Sequence, residues 1–253
     1  MDDLDNEYAD AVDNGDKQLA LELAFDYASS KGFSTWAYHG TYSRFKVFNK
    51  GDIGFHFAKD INIARNRLAD TEDETTPSKK GIVLKVALDI QHPFNFPCDT
   101  YGWKAWDLFS AANLKLTGEP FEDPEEIFMS EQRVLARYSW NFLKGIGFSK
   151  EEVLNIYSDL DEAKTKDFYD GTGDDNFSKV NSFYTKKVRE MALSSKYDAI
   201  VYINDYENGA KDDATCYIVF SPSQIKSLEP VVVNNELKPL STRFDKSSPN
   251  IDD

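Results

Sequence analysis

The stretch "WAYHGTYSRFKVFNKGDIGFHFAKD", residues 36–60, carries two of the three histidines in a chain of 253 residues. Each histidine stands beside glycine or one residue from it, in an aromatic run: "AYHGT" around His39 and "GFHFA" around His56. Short apolar and aromatic runs of this kind, bounded by turn residues, read as strands. The spacing therefore predicts two strands joined by a loop that holds Phe45 and Phe48.

On the N-terminal side, Leu4, Tyr8 and Val12 recur at helical spacing, and Asn14–Gly15 closes that turn. Asp16 then caps a second helix whose apolar positions include Leu19, Leu23 and Tyr27, with Gly32 just past its end. After the opening stretch, Asp60 caps a helix in which Ile61, Ala64 and Leu68 share a face. "GIVLKVALDI" is a strand with β-branched residues in period two, and His92 follows it as a surface or packing residue.

Residues 103 to about 195 are mainly helical, with candidates at about 103–116, 125–143, 150–158 and 178–195. Strands return in "YDAIVYI" and "CYIVF", and residues 231–253 read as a polar tail whose last stretch, "STRFDKSSPNIDD", is loosely held. The expected fold class is α+β: strands, a helical insertion, then strands. One domain covers 1–230, with a helical lead-in at 1–33, strand-rich halves at 34–96 and 196–230, and the insertion between them.

Composition narrows the function classes. A hydrophobic fraction of 41% with 14% aromatics suits a folded globule. Cys98 and Cys216 stand far apart and make neither a disulfide framework nor a metal-ligand spacing, which suits reduced thiols. The acidic opening has no signal-peptide character and no apolar run reaches membrane-spanning length, so a soluble, cytoplasmic protein with no membrane partner is expected. A formal charge of −15 argues against non-specific adhesion to nucleic acid.

The common phosphate-loop, dinucleotide, zinc-protease, redox and serine-hydrolase motifs are absent, and a histidine metal site would have a pool of three ligands to draw on. No metal is expected. What remains is a pair of strand histidines and an acidic loop before a late strand. "His39-Gly40-Thr41" offers an imidazole to sugar hydroxyls, and a glycine that a ligand can approach closely. A carboxylate from the loop could stabilise a cationic sugar carbon, which is the electrostatic problem of cleavage at an anomeric centre. Two core histidines on a sheet are the alternative.

The ordered blocks "YHGT", "F..F", "G.HFA", "A..R", "YDAIVYIN..E" and "CYIVFSPSQI" resemble the ADP-ribosyltransferase domain of phage polyvalent proteins and related bacterial toxins. More remotely, they are similar to the catalytic domain of poly(ADP-ribose) polymerases. The resemblance covers about residues 4–92 and 196–228, and implies a split β-sandwich with a helical pair before it and a helical insertion. It implies NAD as the substrate and a mono-ADP-ribosyltransferase that passes ADP-ribose to a macromolecular acceptor. The negative charge favours a protein acceptor over nucleic acid. The same resemblance implies a phage or toxin role in a host cytoplasm, with a neutralising antitoxin or inhibitor as a further partner.

Carried over residue by residue, His39 is expected on the adenosine ribose, Gly40 on the nicotinamide amide through its backbone, and Thr41 in support of that turn. His56 is expected against the nicotinamide ring, with Tyr38, Phe45, Phe55 and Phe57 lining the pocket. The polymerase-type catalytic acid falls at Cys216, which supplies no carboxylate, so Glu207 of "NDYE" is the expected catalytic acid. Asp205, Asp212 and Asp213 are its local competitors, and a solvated loop acid is the alternative reading of Glu207. Two rival functions stay open: an NAD glycohydrolase, and a catalytically inactive NAD- or ADP-ribose-binding module.

Overall fold

The computed structural model describes residues 3–49, 53–69, 81–100, 102–118, 126–170, 175–204 and 214–253. In chain order its first half contains α1 (Asp3–Asp13), α2 (Lys17–Ser30), β1 (Thr35–Thr41), β2 (Phe55–Ala58), α3 (Ile61–Ala69), β3 (Ile82–Leu88) and β4 (Pro93–Phe96). Then follow α4 (Ala105–Thr117), α5 (Glu126–Gly145), α6 (Lys150–Asp170), α7 (Asn176–Ser194), β5 (Ala199–Ile203), β6 (Thr215–Val219) and β7 (Ile225–Ser227). A small hairpin of β8 (Val232–Val233) and β9 (Glu236–Leu237) comes last. The expected mixed helix and strand content is present. The residues fall into two compact units, one drawn from 1–50, 55–91 and 207–253, the other from 51–54 and 92–206.

In the first unit, Asp16 accepts from Leu19 N at 3.1 Å and opens α2, while Gly15 and Gly32 end their helices at φ +73° and +95°. The helical pair buries Tyr8, Ala11, Ala20, Leu23, Ala24 and Ala28. Leu19, expected on that face, is instead 36% exposed, because the small Ala20–Ala24–Ala28 stripe lets α2 pack closely. Five strands run in the order β6-β2-β1-β3-β7, and each neighbouring pair among them is antiparallel. β1 and β3 pair along all seven residues, from Thr35↔Leu88 to Thr41↔Ile82. β1 and β2 pair only at Tyr38↔Ala58, so these two strands part beyond that point.

Gln224 ties the strand ends together. Its Oε1 accepts from Phe220 N at 3.2 Å and Ser221 N at 2.9 Å, and its Nε2 donates to Asp89 O at 2.9 Å. The tail expected to be loose is packed: Leu240 is fully buried, and Arg243, Phe244 and Ile251 are each under 5% exposed. Buried Arg243 explains much of this, donating to Tyr8 Oη at 3.1 Å, Ser227 O at 2.6 Å and Glu229 O at 3.1 Å. Asn234 and Asn235, at φ +53° and +66°, make the two-residue turn between β8 and β9 that asparagine tolerates best among non-glycine residues.

The second unit holds α4 to α7 and the parallel pair β4–β5. Side chains of α7 cap α4: Thr185 Oγ1 accepts from Ala105 N and Asn181 Oδ1 from Trp106 N, each at 2.8 Å. α6 runs twelve residues past the expected end at 158, to Asp170, because Val153, Ile156, Leu160 and Ala163 keep one buried face through the acidic run. β4 had no sequence signal: "PFNF" is four residues long and opens with proline.

Candidate active site

The parting of β1 from β2 is bridged by one side chain. His39 Nδ1 donates to the backbone carbonyl of His56 at 2.8 Å. Continuing the Tyr38↔Ala58 register would set His56 opposite Gly40, so the imidazole takes a carbonyl that a regular ladder would give to the Gly40 amide. A carbonyl only accepts, which places the proton on Nδ1. The neutral ring therefore presents Nε2 as a hydrogen-bond acceptor, the group needed by a ligand hydroxyl.

Strand alternation sends neighbouring side chains to opposite faces. His39 lies on one face with Phe57, at a ring-centre distance of 5.4 Å. Phe48 and Phe45 from the loop pack edge-on against it, at 5.0 Å and 6.1 Å. Phe55 joins the same aromatic group through Phe48, at 5.3 Å. Phe55 and Phe57 are each 3% exposed: Phe55 backs Phe48, while Phe57 packs on the imidazole and, with His39, also borders a small pocket under α3.

Tyr38, Gly40, His56 and Ala58 occupy the opposite face, under α3. Asp60 opens α3 by accepting from Asn62 N at 2.6 Å, and the Tyr42 hydroxyl donates to Leu68 O in its last turn. A Cβ on Gly40 would run into the Ala64 carbonyl, so the absence of a side chain lets α3, rather than open solvent, meet this strand. Between them is a small pocket lined by Tyr38, Gly40, His56, Ala64, Arg67 and Cys216, among others, which encloses about 20 Å³, the room of one water.

The electrostatics are set by burial and one cation. Desolvation lowers His39 below the ordinary histidine value, against the raising effect of the His56 carbonyl, and Arg67 lowers it further. Burial pushes His56 down to about 3, aided by Arg67 and then by His39. Both rings are neutral at neutral pH. Their chemistry there is hydrogen bonding and packing, not proton donation.

The expected site residues thus divide. His39, Phe45, Phe55 and Phe57 come together on one face, and Tyr38, Gly40 and His56 on the other, joined through the His39–His56 hydrogen bond. Thr41 contacts the following turn, its Oγ1 donating to Ser43 O at 3.2 Å. Cys216, 2% exposed, lies opposite Ala58 and lines the small pocket. Asn204 is 2% exposed at the end of β5, while Glu207 and its competitors Asp205, Asp212 and Asp213 lie outside the described residues. Among the described residues no three His, Cys, Asp or Glu side chains gather as metal ligands, and no helix is long and apolar enough to cross a membrane.

Sequence reasoning missed Arg67 as the cation of this pocket. The signal was its i,i+4 relation to Ile63, which puts both on the face of α3 turned to the strands.

The family model described as "ADP-Ribosyltransferase in polyvalent proteins" matches residues 30–232. Comparison with curated proteins and with solved structures gives no match. The family match takes in the helix-to-strand entry, both histidine strands, the helical segment and the late strands, which is most of the 253 residues. The chain belongs to the ADP-ribosyltransferase family of polyvalent proteins.

Proposed function

We propose that the protein is a mono-ADP-ribosyltransferase that cleaves NAD at the nicotinamide–ribose bond and transfers ADP-ribose to a macromolecular acceptor. The observation that carries this reading is the His39 ring, fixed through Nδ1 on the His56 carbonyl with Nε2 left as an acceptor, beside a glycine backbone released from the β2 ladder. In this reading Nε2 accepts from a ribose hydroxyl and the Gly40 backbone meets the nicotinamide amide. His56 and Tyr38 border the nicotinamide, whose ring is larger than the small pocket as it stands, so the pocket has to open to admit it. The family's split β-sandwich is the architecture this reading implies.

The chemistry balances without a metal. The C1′–N bond breaks with its electron pair leaving on the pyridinium nitrogen, so nicotinamide departs neutral and C1′ becomes an oxocarbenium ion. Glu207 holds the nicotinamide-ribose 2′-hydroxyl and stabilises that charge. An acceptor nucleophile then bonds to C1′ and loses its proton to solvent or a nearby base. Binding energy from the adenosine half is spent on holding the reacting bond in place. The net charge of −15 supports a protein acceptor, because a nucleic-acid chain would be repelled by the field. A phage or toxin role in a host cytoplasm is the setting that the family suggests.

Incubating a host lysate with NAD labelled in the adenosine half tests this. Label in macromolecules with wild type, lost with His39→Ala and Glu207→Ala, supports transfer, and protease or nuclease sensitivity identifies the acceptor class. Nicotinamide release without labelled macromolecule would point to a glycohydrolase. Cys216 at the position of the polymerase acid favours a second reading, a binding module without turnover. NAD binding that is unchanged in Glu207→Ala, with no nicotinamide released, would establish that module.

A further inference from the structure

The family match ends at residue 232, yet a segment beyond it reaches the loop that packs on His39. Residues 42–49 contain no helix or strand, so their own backbone does not fix where Phe45 and Phe48 sit. Two contacts do. Ile251 N donates to Lys46 O at 2.8 Å, and Asn250 forms an antiparallel bridge with Val47, between the two phenylalanines. Phe45 and Phe48 then pack edge-on at 4.6 Å, and both abut the His39 ring.

The segment is itself anchored on the sheet. Ser227 N, on β7, donates to Ile251 O at 2.7 Å. Lys226 is fully buried, and its ammonium donates to Ser248 O and Asn250 O, each at 2.8 Å. An ammonium group taken from water has to spend its N–H groups on acceptors, so these two carbonyls are held firmly. The path closes through the ladder, since β7 pairs with β3 and β3 places Leu84 opposite His39.

We propose that residues 248–251 act as a latch that positions His39 for NAD through the 45–48 loop, with Lys226 and Ile251 as its positioning residues. The proposal rests on the reading of His39 as an NAD-binding group. Without the latch, Phe45 and Phe48 lose their fixed seat and the imidazole gains rotational freedom about the gap between β1 and β2. The His39–His56 hydrogen bond then forms for only part of the time. Ground-state binding of NAD suffers more than the bond-breaking step, because His39 holds ribose and does not move a proton.

The test uses the whole chain with Lys226→Met, with Ile251→Pro, which removes the N–H that donates to Lys46 O, and with a control in the exposed hairpin, Glu236→Gln. Imidazole ¹⁵N resonances report the His39 tautomer, and equilibrium titration reports NAD affinity. Both latch variants are expected to show a shifted, averaged His39 Nδ1 signal, an amide spectrum as dispersed as that of wild type, and a rise of tenfold or more in Kd and KM with kcat within about twofold. The control is expected to match wild type. Wild-type His39 resonances and wild-type NAD affinity in either folded variant would overturn the latch, and Ile251→Pro, among the last three residues of the sequence, decides the matter where Lys226→Met does not fold. If wild type itself binds no NAD, the functional reading fails, while the His39 resonances still decide whether the latch exists.

Discussion

His39 is held by the backbone of His56: its Nδ1 donates to the His56 carbonyl at 2.8 Å, across the place where β1 and β2 cease to pair. Replacing His39 by alanine removes that bond and its contacts with Phe45, Phe48 and Phe57. A loss of about 1–3 kcal/mol in unfolding free energy is expected. Denaturant titration checks this, and His39→Asn is expected to recover part of the loss because its amide can still donate.

The two histidines make stability depend on pH. Both have folded values below the ordinary one, so between each folded value and about 6.5 the unfolded chain binds more protons than the folded one, and for His56 that window reaches down to about 3. Stability from these groups is full above about 6.5 and is lost as pH falls toward each folded value, with a slope of up to about 1.4 kcal/mol per pH unit for the His56 ring. Thermal melts from pH 7 to pH 4 are expected to show this fall, and His56→Phe to flatten it. Within the reading as a transferase, no limb of the activity profile above about pH 6.5 is expected to titrate with either histidine.

Arg67 lowers both histidines through space. Arg67→Ala is therefore expected to raise the His39 and His56 values, read from imidazole resonances during a pH titration. Both stay below 6.5, because burial is the larger cause in each case. A drop in either value would contradict the placement of this guanidinium beside the pocket.

Gly40 packs without a side chain against the Ala64 carbonyl. Gly40→Ala has to move a helix backbone rather than a flexible side chain, so a destabilisation of about 1–3 kcal/mol is expected, as for overpacked cores. Chemical denaturation checks it. A neutral outcome would mean that α3 does not lie on this strand.

Much of this was legible in the sequence because the residues themselves carry geometry. Asp16, Gly32 and Asp60 marked helix ends by capping chemistry, and "IVLKVAL" marked its strand by alternation. The pairing of the histidine strands was not legible. The order β6-β2-β1-β3-β7 brings Cys216 opposite Ala58 from far along the chain, and no local pattern encodes that register. Nor could alternation alone show that His39 and His56, similar in setting, face opposite ways yet share one hydrogen bond. The seat of the polar tail was hidden for a related reason. Lys226 and Arg243 bury only because carbonyls distant in sequence satisfy them, and charged residue types alone do not announce burial.

In the proposed reaction His39 holds NAD in place and Glu207 stabilises the charge that develops as the nicotinamide–ribose bond breaks. The most direct test is nicotinamide release from NAD, measured across NAD concentrations, by purified wild type, His39→Ala and Glu207→Gln. Release by wild type is expected, with a fall of about 10–100-fold in kcat/KM for His39→Ala, carried mainly by KM, and a fall of about 100–1,000-fold in kcat for Glu207→Gln, the size usual for losing one transition-state-stabilising group. Wild-type rates in both variants would contradict it.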